Sequence, residues 1–491
     1  MHPGTVSTPL SASSSVVASA LTHQDLTHQD THGPTLPVVD PATEEVLAEV
    51  VDMDAAAAVT ALNNAVAAQR SWSATSPQQR SDVLMRAFTL MIERTEDLAL
   101  LMTLEMGKPL AESRGEVAYA AEFFRWFAGE AVRLDGGVML APDGGSRLIV
   151  THRPVGPCLL ITPWNFPLAM GTRKMGPALA AGCTCLVKPA EQTPLSMLAL
   201  LGILREAGVP DGVVSVITTN DPGSTMAPLL ADPRVRKVSF TGSTEVGRYL
   251  LAQCAPTVKR TSMELGGNAP FIVFADADPD EAAAGALTAK MRNIGQACTA
   301  ANRIYVQRGI AESFTEALTA KMAALHMGRG TEPDVDLGPL IDPDAVAKAD
   351  RLVSDARNRG ATVQLGGKIP DGTGYFYPPS VLTDVPDDSD MMRTEIFAPV
   401  AAIATFDTEE EVIARANDSE FGLVAYLYTN DTRRAWRVAE ELETGMVGLN
   451  RGVVSTPAAP FGGVKQSGIG REGGFAGIDE FLETKYIGAA L

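Results

Sequence analysis

Cys298, in the run GQACTA, is flanked by Gly295, Ala297, Thr299 and Ala300, so its thiol would meet little steric hindrance. A buried cysteine is more often inert than reactive. An open thiol with a base nearby could form a covalent bond to an electrophilic carbon. Glu264, in MELGGNAP, lies between an apparent strand and a Gly-Gly turn. Beside a nucleophilic thiol it could serve as a general base, first for the thiol and then for a hydrolytic water. Taken alone it would be an ordinary paired or solvated glutamate. Asn165, in TPWNFP, follows a strand and precedes a proline that favours extended or turn backbone. Its amide could donate to an oxyanion or could simply close an Asx turn. The run GSTEVG, 242–247, follows KVSFT and begins a helix, where backbone N–H groups can hold a phosphate. It lacks the G-x-G-x-x-G spacing, so it is a weak nucleotide signal by itself.

The remaining residues narrow the chemistry. Cys158, Cys183, Cys185 and Cys254 complete a set of five cysteines with neither a disulfide framework nor a CxxC metal knuckle. Reduced thiols in the cytoplasm are the expectation. Four of six histidines lie in the first 32 residues, leaving His152 and His326 for the body. No metal site is expected, and a cysteine protease is disfavoured because QAC-Thr-Ala fails the caspase pattern and bases are scarce. The net charge of −19 argues against a nucleic-acid partner, so an anionic substrate would need a local cluster of Arg or Lys. No membrane span is expected: 176–187 is apolar but too short. No Lys or Arg precedes Arg70, which speaks against a secretory or mitochondrial leader.

These groups need a frame of about 491 residues, which is too long for one ordinary core. Residues 1–33 are Ser/Thr-rich with the repeat LTHQDLTHQDTH, and a disordered tail is expected there. Residues 81–94 carry apolar side chains at helical spacing. CLLIT (158–162), TCLVK (184–188), VVSVI (213–217), KVSF (237–240) and FIVF (271–274) read as buried strands, with helical patterns such as 195–207 between them. Such alternation implies a parallel sheet covered on both faces, with ligands at the carboxyl ends of its strands. A helix begins at Pro279 and runs toward Arg292. A second α/β region follows Cys298, with strands at 304–306, 362–365 and 400–405 and helices at 345–359 and 408–417. Residues 483–490 look like a terminal strand, an edge suited to pairing with another subunit.

The motifs TPWNFP, KPAEQTP, FTGSTEVG, MELGGNAP, GQACTA, EIFAPV and PFGGVKQSGIGREGG occur in the order and spacing of the aldehyde dehydrogenase superfamily. The chain resembles that superfamily over about residues 35–491, and most closely its succinate-semialdehyde dehydrogenase branch. The resemblance implies an α/β enzyme with a Rossmann-like parallel-sheet cofactor domain (34–140 and 159–264), a second α/β catalytic domain (265–448) and a small β oligomerisation element (141–158 and 477–491). It implies that Cys298 attacks the aldehyde carbon, that Asn165 and the Cys298 N–H hold the oxyanion, and that Glu264 activates water against a thioester. Trp164, Lys174, Lys188, Glu191, Gly242, Ser243, Glu395 and Phe397 match cofactor positions, with Lys174 expected near the adenine-side ribose. Ala398 departs from the family's usual glycine, a change tolerable if the backbone keeps a negative φ.

Arg173, Arg292 and Ser455 correspond to positions bordering the substrate tunnel. Two guanidinium groups and a hydroxyl would bind a distal carboxylate, so succinate semialdehyde is the expected substrate, with glutarate semialdehyde slower. A broader aldehyde dehydrogenase is the alternative within the class. A catalytically retired homologue is disfavoured because Cys298, Glu264 and Asn165 are all present, and an acylating reaction is disfavoured by Glu264. Glu191 could accept from both ribose hydroxyls and would repel a 2′-phosphate, so NAD is expected over NADP. A homodimer or homotetramer is expected.

Overall fold

The computed structural model describes residues 9–22 and 33–490. Among them, two large sheets carry the chemistry, beside a three-stranded sheet and two two-stranded ones. The first has six strands in the order Gly468–Ile469, Arg260–Glu264, Lys237–Thr241, Cys158–Ile161, Cys185–Lys188 and Val214–Val216. All pair in parallel except the edge pair of Gly468–Ile469 with Arg260–Glu264. Its central strands Cys158–Ile161 and Cys185–Lys188 are apolar runs, as expected where helices cover both faces of a parallel sheet, whereas the edge strand Gly468–Ile469 is partly exposed. Strands Lys237–Thr241 and Cys185–Lys188 are buried at every position.

The second sheet has seven strands, ordered Thr362–Leu365, Ser380–Thr383, Val400–Phe406, Ala301–Gln307, Ala269–Val273, Val424–Tyr428 and Met446–Leu449. Only the edge strand Thr362–Leu365 is antiparallel to its neighbour. FIVF, similar in its apolar run to the strands of the first sheet but inside the 265–448 span expected of the second domain, belongs to Ala269–Val273 here, between Ala301–Gln307 and Val424–Tyr428. The chain therefore crosses between sheets at the turn Leu265–Asn268, directly after Glu264.

The third sheet is antiparallel, with Leu482–Ala490 paired along its length to Ser146–Pro154, which in turn pairs with Gly137–Leu140. The terminal strand is thus not isolated. This sheet begins at Gly137, inside the span assigned from sequence to the cofactor domain, whereas Cys158 belongs to the six-stranded sheet.

The expected disorder of residues 1–33 does not hold throughout. Pro9–Leu21 form a helix whose Val17 and Ala20 join the core beside Leu98, Leu101 and Ile203. Its short apolar face finds a ready hydrophobic surface, which a composition argument ignores. The rest of the repeat from residue 23, with its His and Asp residues, lies outside the described residues. No helix among the described residues is long and apolar enough to cross a membrane.

Candidate active site

The carboxyl ends of the first sheet set out one row of groups. Cys158–Ile161 leads into Pro163, Trp164 and Asn165; Cys185–Lys188 ends on Lys188; Lys237–Thr241 delivers Gly242 and Ser243; Arg260–Glu264 ends on Glu264. This is where ligands of parallel sheets bind. Two cavities open there, of about 240 and 450 Å³, and Pro163, Trp164, Thr241 and Gly242 border both.

Cys298 borders the smaller cavity with Asn165, Arg173, Arg292 and Ser455, and with Glu395 and Phe397. Its loop is unusual. The helix Pro279–Met291 is followed by Asn293, Ile294 and Gly295 at φ 54°, 63° and 74°. A β-branched residue in the left-handed region is strained and persists only where the surroundings hold it. Ile294 is 1% exposed. Asn293 donates its backbone N–H to both oxygens of Glu112, at 3.1 and 2.8 Å, and its side-chain amide to the carbonyls of Asn165 and Gln296, both at 2.9 Å. A Cβ on Gly295 would overlap the Ala398 carbonyl, and one on Gly267 the Cys298 carbonyl, so only glycine permits this close approach.

Asn165 is fixed from three sides. Its carbonyl accepts from Lys108 Nζ at 2.8 Å and from Asn293, and its Nδ2 donates to the Gln296 carbonyl at 2.9 Å. Lys108 is held in turn by Glu116 at 2.5 Å. The other Glu116 oxygen accepts from the N–H groups of Leu168 and Ala169, at the start of helix Ala169–Ala181. A carboxylate at a helix N-terminus satisfies its orphan donors and its dipole. One hydrogen of Asn165 Nδ2 serves Gln296, and the second is free for the cavity.

Burial pushes the Cys298 thiol up to about 12; Arg173 and Arg292 draw it down, while Glu395 and Glu264 push it further up. Burial likewise raises the Glu264 carboxyl well above the usual range, and the nearby Glu472 adds to this, opposed by Arg173 and Lys174. Glu264 Oε2 has no hydrogen-bond partner. The side chain borders neither cavity and lies under Gly462, where a Cβ would stand 2.9 Å from Oε1.

Lys188 and Glu191 border the larger cavity. Thr162 Oγ1, Gln192 Oε1 and Thr241 Oγ1, which border it too, are buried without partners, so the space suits a polar ligand. Ser243 caps helix Thr244–Cys254, accepting from Val246 N–H at 3.3 Å. Trp164 meets Phe397 edge-on at 5.5 Å between ring centroids. Phe397 takes the left-handed φ of 57°, whereas Ala398 is not among the positive-φ residues, so its methyl is accommodated. Lys174, expected near a ribose, borders neither cavity: its Nζ is committed to Ser239 at 3.0 Å and Glu472 at 2.5 Å. Glu472, Lys108, Tyr119 and Phe461 were not singled out from sequence. Glu472 stands within the GREGG stretch of a recognised motif, and only its burial reveals it.

The sequence profile of the aldehyde dehydrogenase family matches residues 28–487. This chain belongs to the aldehyde dehydrogenase family. A succinate-semialdehyde dehydrogenase of Paenarthrobacter nicotinovorans is 55% identical, over 91% of this aldehyde dehydrogenase and 99% of the relative. The succinate-semialdehyde dehydrogenase [NADP(+)] GabD of Escherichia coli is 49% identical, over 93% and 94%. A crystal structure of an aldehyde dehydrogenase from Brucella melitensis superimposes with a TM-score of 0.92 at 51% identity, covering 94% of this chain and 95% of the other. The α/β fold expected from the alternating elements is the fold of that structure.

The preference for NAD over NADP does not hold. A relative nearly half identical over almost its full length is named for NADP. The physical reason lies in the partner of Glu191: its Oε1 is ion-paired with Lys188 Nζ. The pair is formally neutral, so the expected repulsion of a 2′-phosphate is cancelled at its source.

Proposed function

We propose that this aldehyde dehydrogenase oxidises succinate semialdehyde to succinate, with NADP as hydride acceptor. One observation carries the substrate choice: two cationic side chains with unused capacity border the cavity of Cys298. Arg173 is 2% exposed and its Nη2 has no hydrogen-bond partner. The Arg292 guanidinium lies 5.0 Å from the ring centroid of Phe166 and makes no ion pair among the described residues. Ser455 completes the polar set. A distal carboxylate held by charge-assisted bonds would fix the aldehyde carbon near the thiol.

In this reading the Cys298 thiolate attacks the aldehyde carbon, and the oxyanion accepts from Asn165 Nδ2 and the Cys298 N–H. Bound NADP supplies the acceptor for the hydride this carbon gives up, with Lys188, Gly242, Ser243, Glu395 and Phe397 among the residues that would hold it. The product of that step is a thioester on Cys298. Glu264 takes a proton from water, which attacks the thioester and releases the acid and the thiolate. Glu264 must turn from under Gly462 to reach that water. The larger cavity and its six-stranded sheet are assigned to cofactor binding, and the seven-stranded sheet to supporting the nucleophile loop.

The subunits associate as a homodimer or homotetramer through the third sheet. It leaves Val138, Met139 and Leu140 at 67, 57 and 60% exposed on one edge strand, an apolar edge that calls for a partner. Five unpaired cysteines suit a reducing cytoplasm.

The test is steady-state kinetics with succinate semialdehyde, glutarate semialdehyde and butanal, each with NADP and NAD. Succinate semialdehyde with NADP is expected to give the highest kcat/KM, and Arg292→Ala to remove most of its advantage over butanal. Equal kcat/KM for butanal, or a clear preference for NAD, overturns the corresponding part of the reading.

A further inference from the structure

Glu472 divides its carboxylate between two cations on consecutive positions of one helix. Oε2 accepts from Arg173 Nε, and Oε1 from Lys174 Nζ at 2.5 Å. All three side chains are at least nine-tenths buried. Glu472 is kept ionised, below its ordinary range at about 2, by Arg173 and Lys174 against the opposing effect of burial. The Arg173 guanidinium also lies over Phe461, 4.0 Å from the ring centroid to Cζ. The face of the guanidinium is thereby taken by the ring and its Nε by the carboxylate. What remains is an edge, with Nη2 unpartnered, on a residue that borders the cavity of Cys298.

A long arginine side chain has several rotamers, and Glu264 is a second carboxylate close enough to act on Arg173. Without Glu472, that carboxylate would compete for the guanidinium, while Arg173 and Lys174 would repel each other in a desolvated setting. From this arrangement we infer that Glu472 is a positioning residue for substrate selection, holding Arg173 so that the free edge of its guanidinium meets the distal carboxylate of the aldehyde. The inference rests on the reading that the substrate is carboxylated.

The experiment compares kcat/KM for succinate semialdehyde and butanal in the wild-type enzyme and in Glu472→Gln, which keeps the shape but removes the charge. The ratio of the two values is expected to fall by about tenfold in the variant, carried mainly by a higher KM for succinate semialdehyde. A wild-type enzyme without preference for the carboxylated aldehyde overturns the substrate reading itself. A selective wild type with an equally selective variant overturns the inference alone, as does an equal loss on both aldehydes, which would mark Glu472 as merely structural. Should the amide variant fail to fold, Glu472→Asp puts the same question, because its shorter reach must release Arg173 and lower the same ratio; an unchanged ratio there also overturns it.

Discussion

Asn165 donates its side-chain amide to the carbonyl of Gln296, two residues before Cys298, at 2.9 Å. The proposed oxyanion donor and the nucleophile loop are therefore tied directly, although one follows a strand of the six-stranded sheet and the other precedes a strand of the seven-stranded sheet. Replacing Asn165 by Ala removes both this tie and one donor. Loss of one oxyanion donor typically costs about 10²–10³ in kcat. Asn165→Ala is expected to lower kcat within that range and to change KM far less. Stopped-flow and steady-state assays with succinate semialdehyde check it, and a loss confined to KM would refute the role.

The thiol of Cys298 gives a prediction in pH. Burial raises its pKa to about 12, so the neutral thiol dominates at pH 7 in the free enzyme. Because the pKa is raised, the reactive thiolate accumulates only as pH climbs. The rate of alkylation by iodoacetamide, without cofactor, should rise about tenfold per pH unit from pH 7 to 10. Mass spectrometry of the Cys298 peptide reads the rate. A plateau below pH 9 would mean the thiolate is far better stabilised than this environment allows.

Much of this site was legible in the sequence, for a physical reason. Strands buried on both faces are apolar throughout, so CLLIT and KVSF stand out, and the residues ending them fall at the carboxyl edge where ligands bind. Pairing partners leave no such local mark. FIVF looks like its predecessors, but its neighbours in the sheet come from residues 301–307 and 424–428. Lys174 had the charge to suit a ribose site, but Glu472, nearly 300 residues later, claims it. Glu191 carried the same hazard: a carboxylate read alone suggested NAD, whereas the carboxylate as folded is paired with Lys188.

That pair makes cofactor choice testable. Lys188→Ala would leave Glu191 as an uncompensated carboxylate bordering the larger cavity. The ratio of kcat/KM for NADP over NAD is expected to fall by about tenfold or more, since a lost charge-assisted bond and a restored repulsion act together. Adding Glu191→Ala should recover part of the ratio by removing the repulsion. If both cofactors weaken equally in Lys188→Ala, the lysine only shapes the cavity.

The amino-terminal helix offers a stability prediction separate from catalysis. Val17 and Ala20 of Pro9–Leu21 are buried against Leu98, Leu101 and Ile203, far along the chain from the nucleophile. Burying one valine contributes about 2 kcal/mol. Val17→Asp would place a charge in that contact, yet the helix can leave its seat, so the cost is bounded by what docking contributes. The variant is therefore expected to lose about 1–2 kcal/mol in urea unfolding and to keep its kcat/KM. Removing residues 1–22 entirely should cost the same amount and no more. A much larger loss in the truncated protein would show that the segment does more than dock, and an unchanged urea midpoint in Val17→Asp would show that it contributes nothing there.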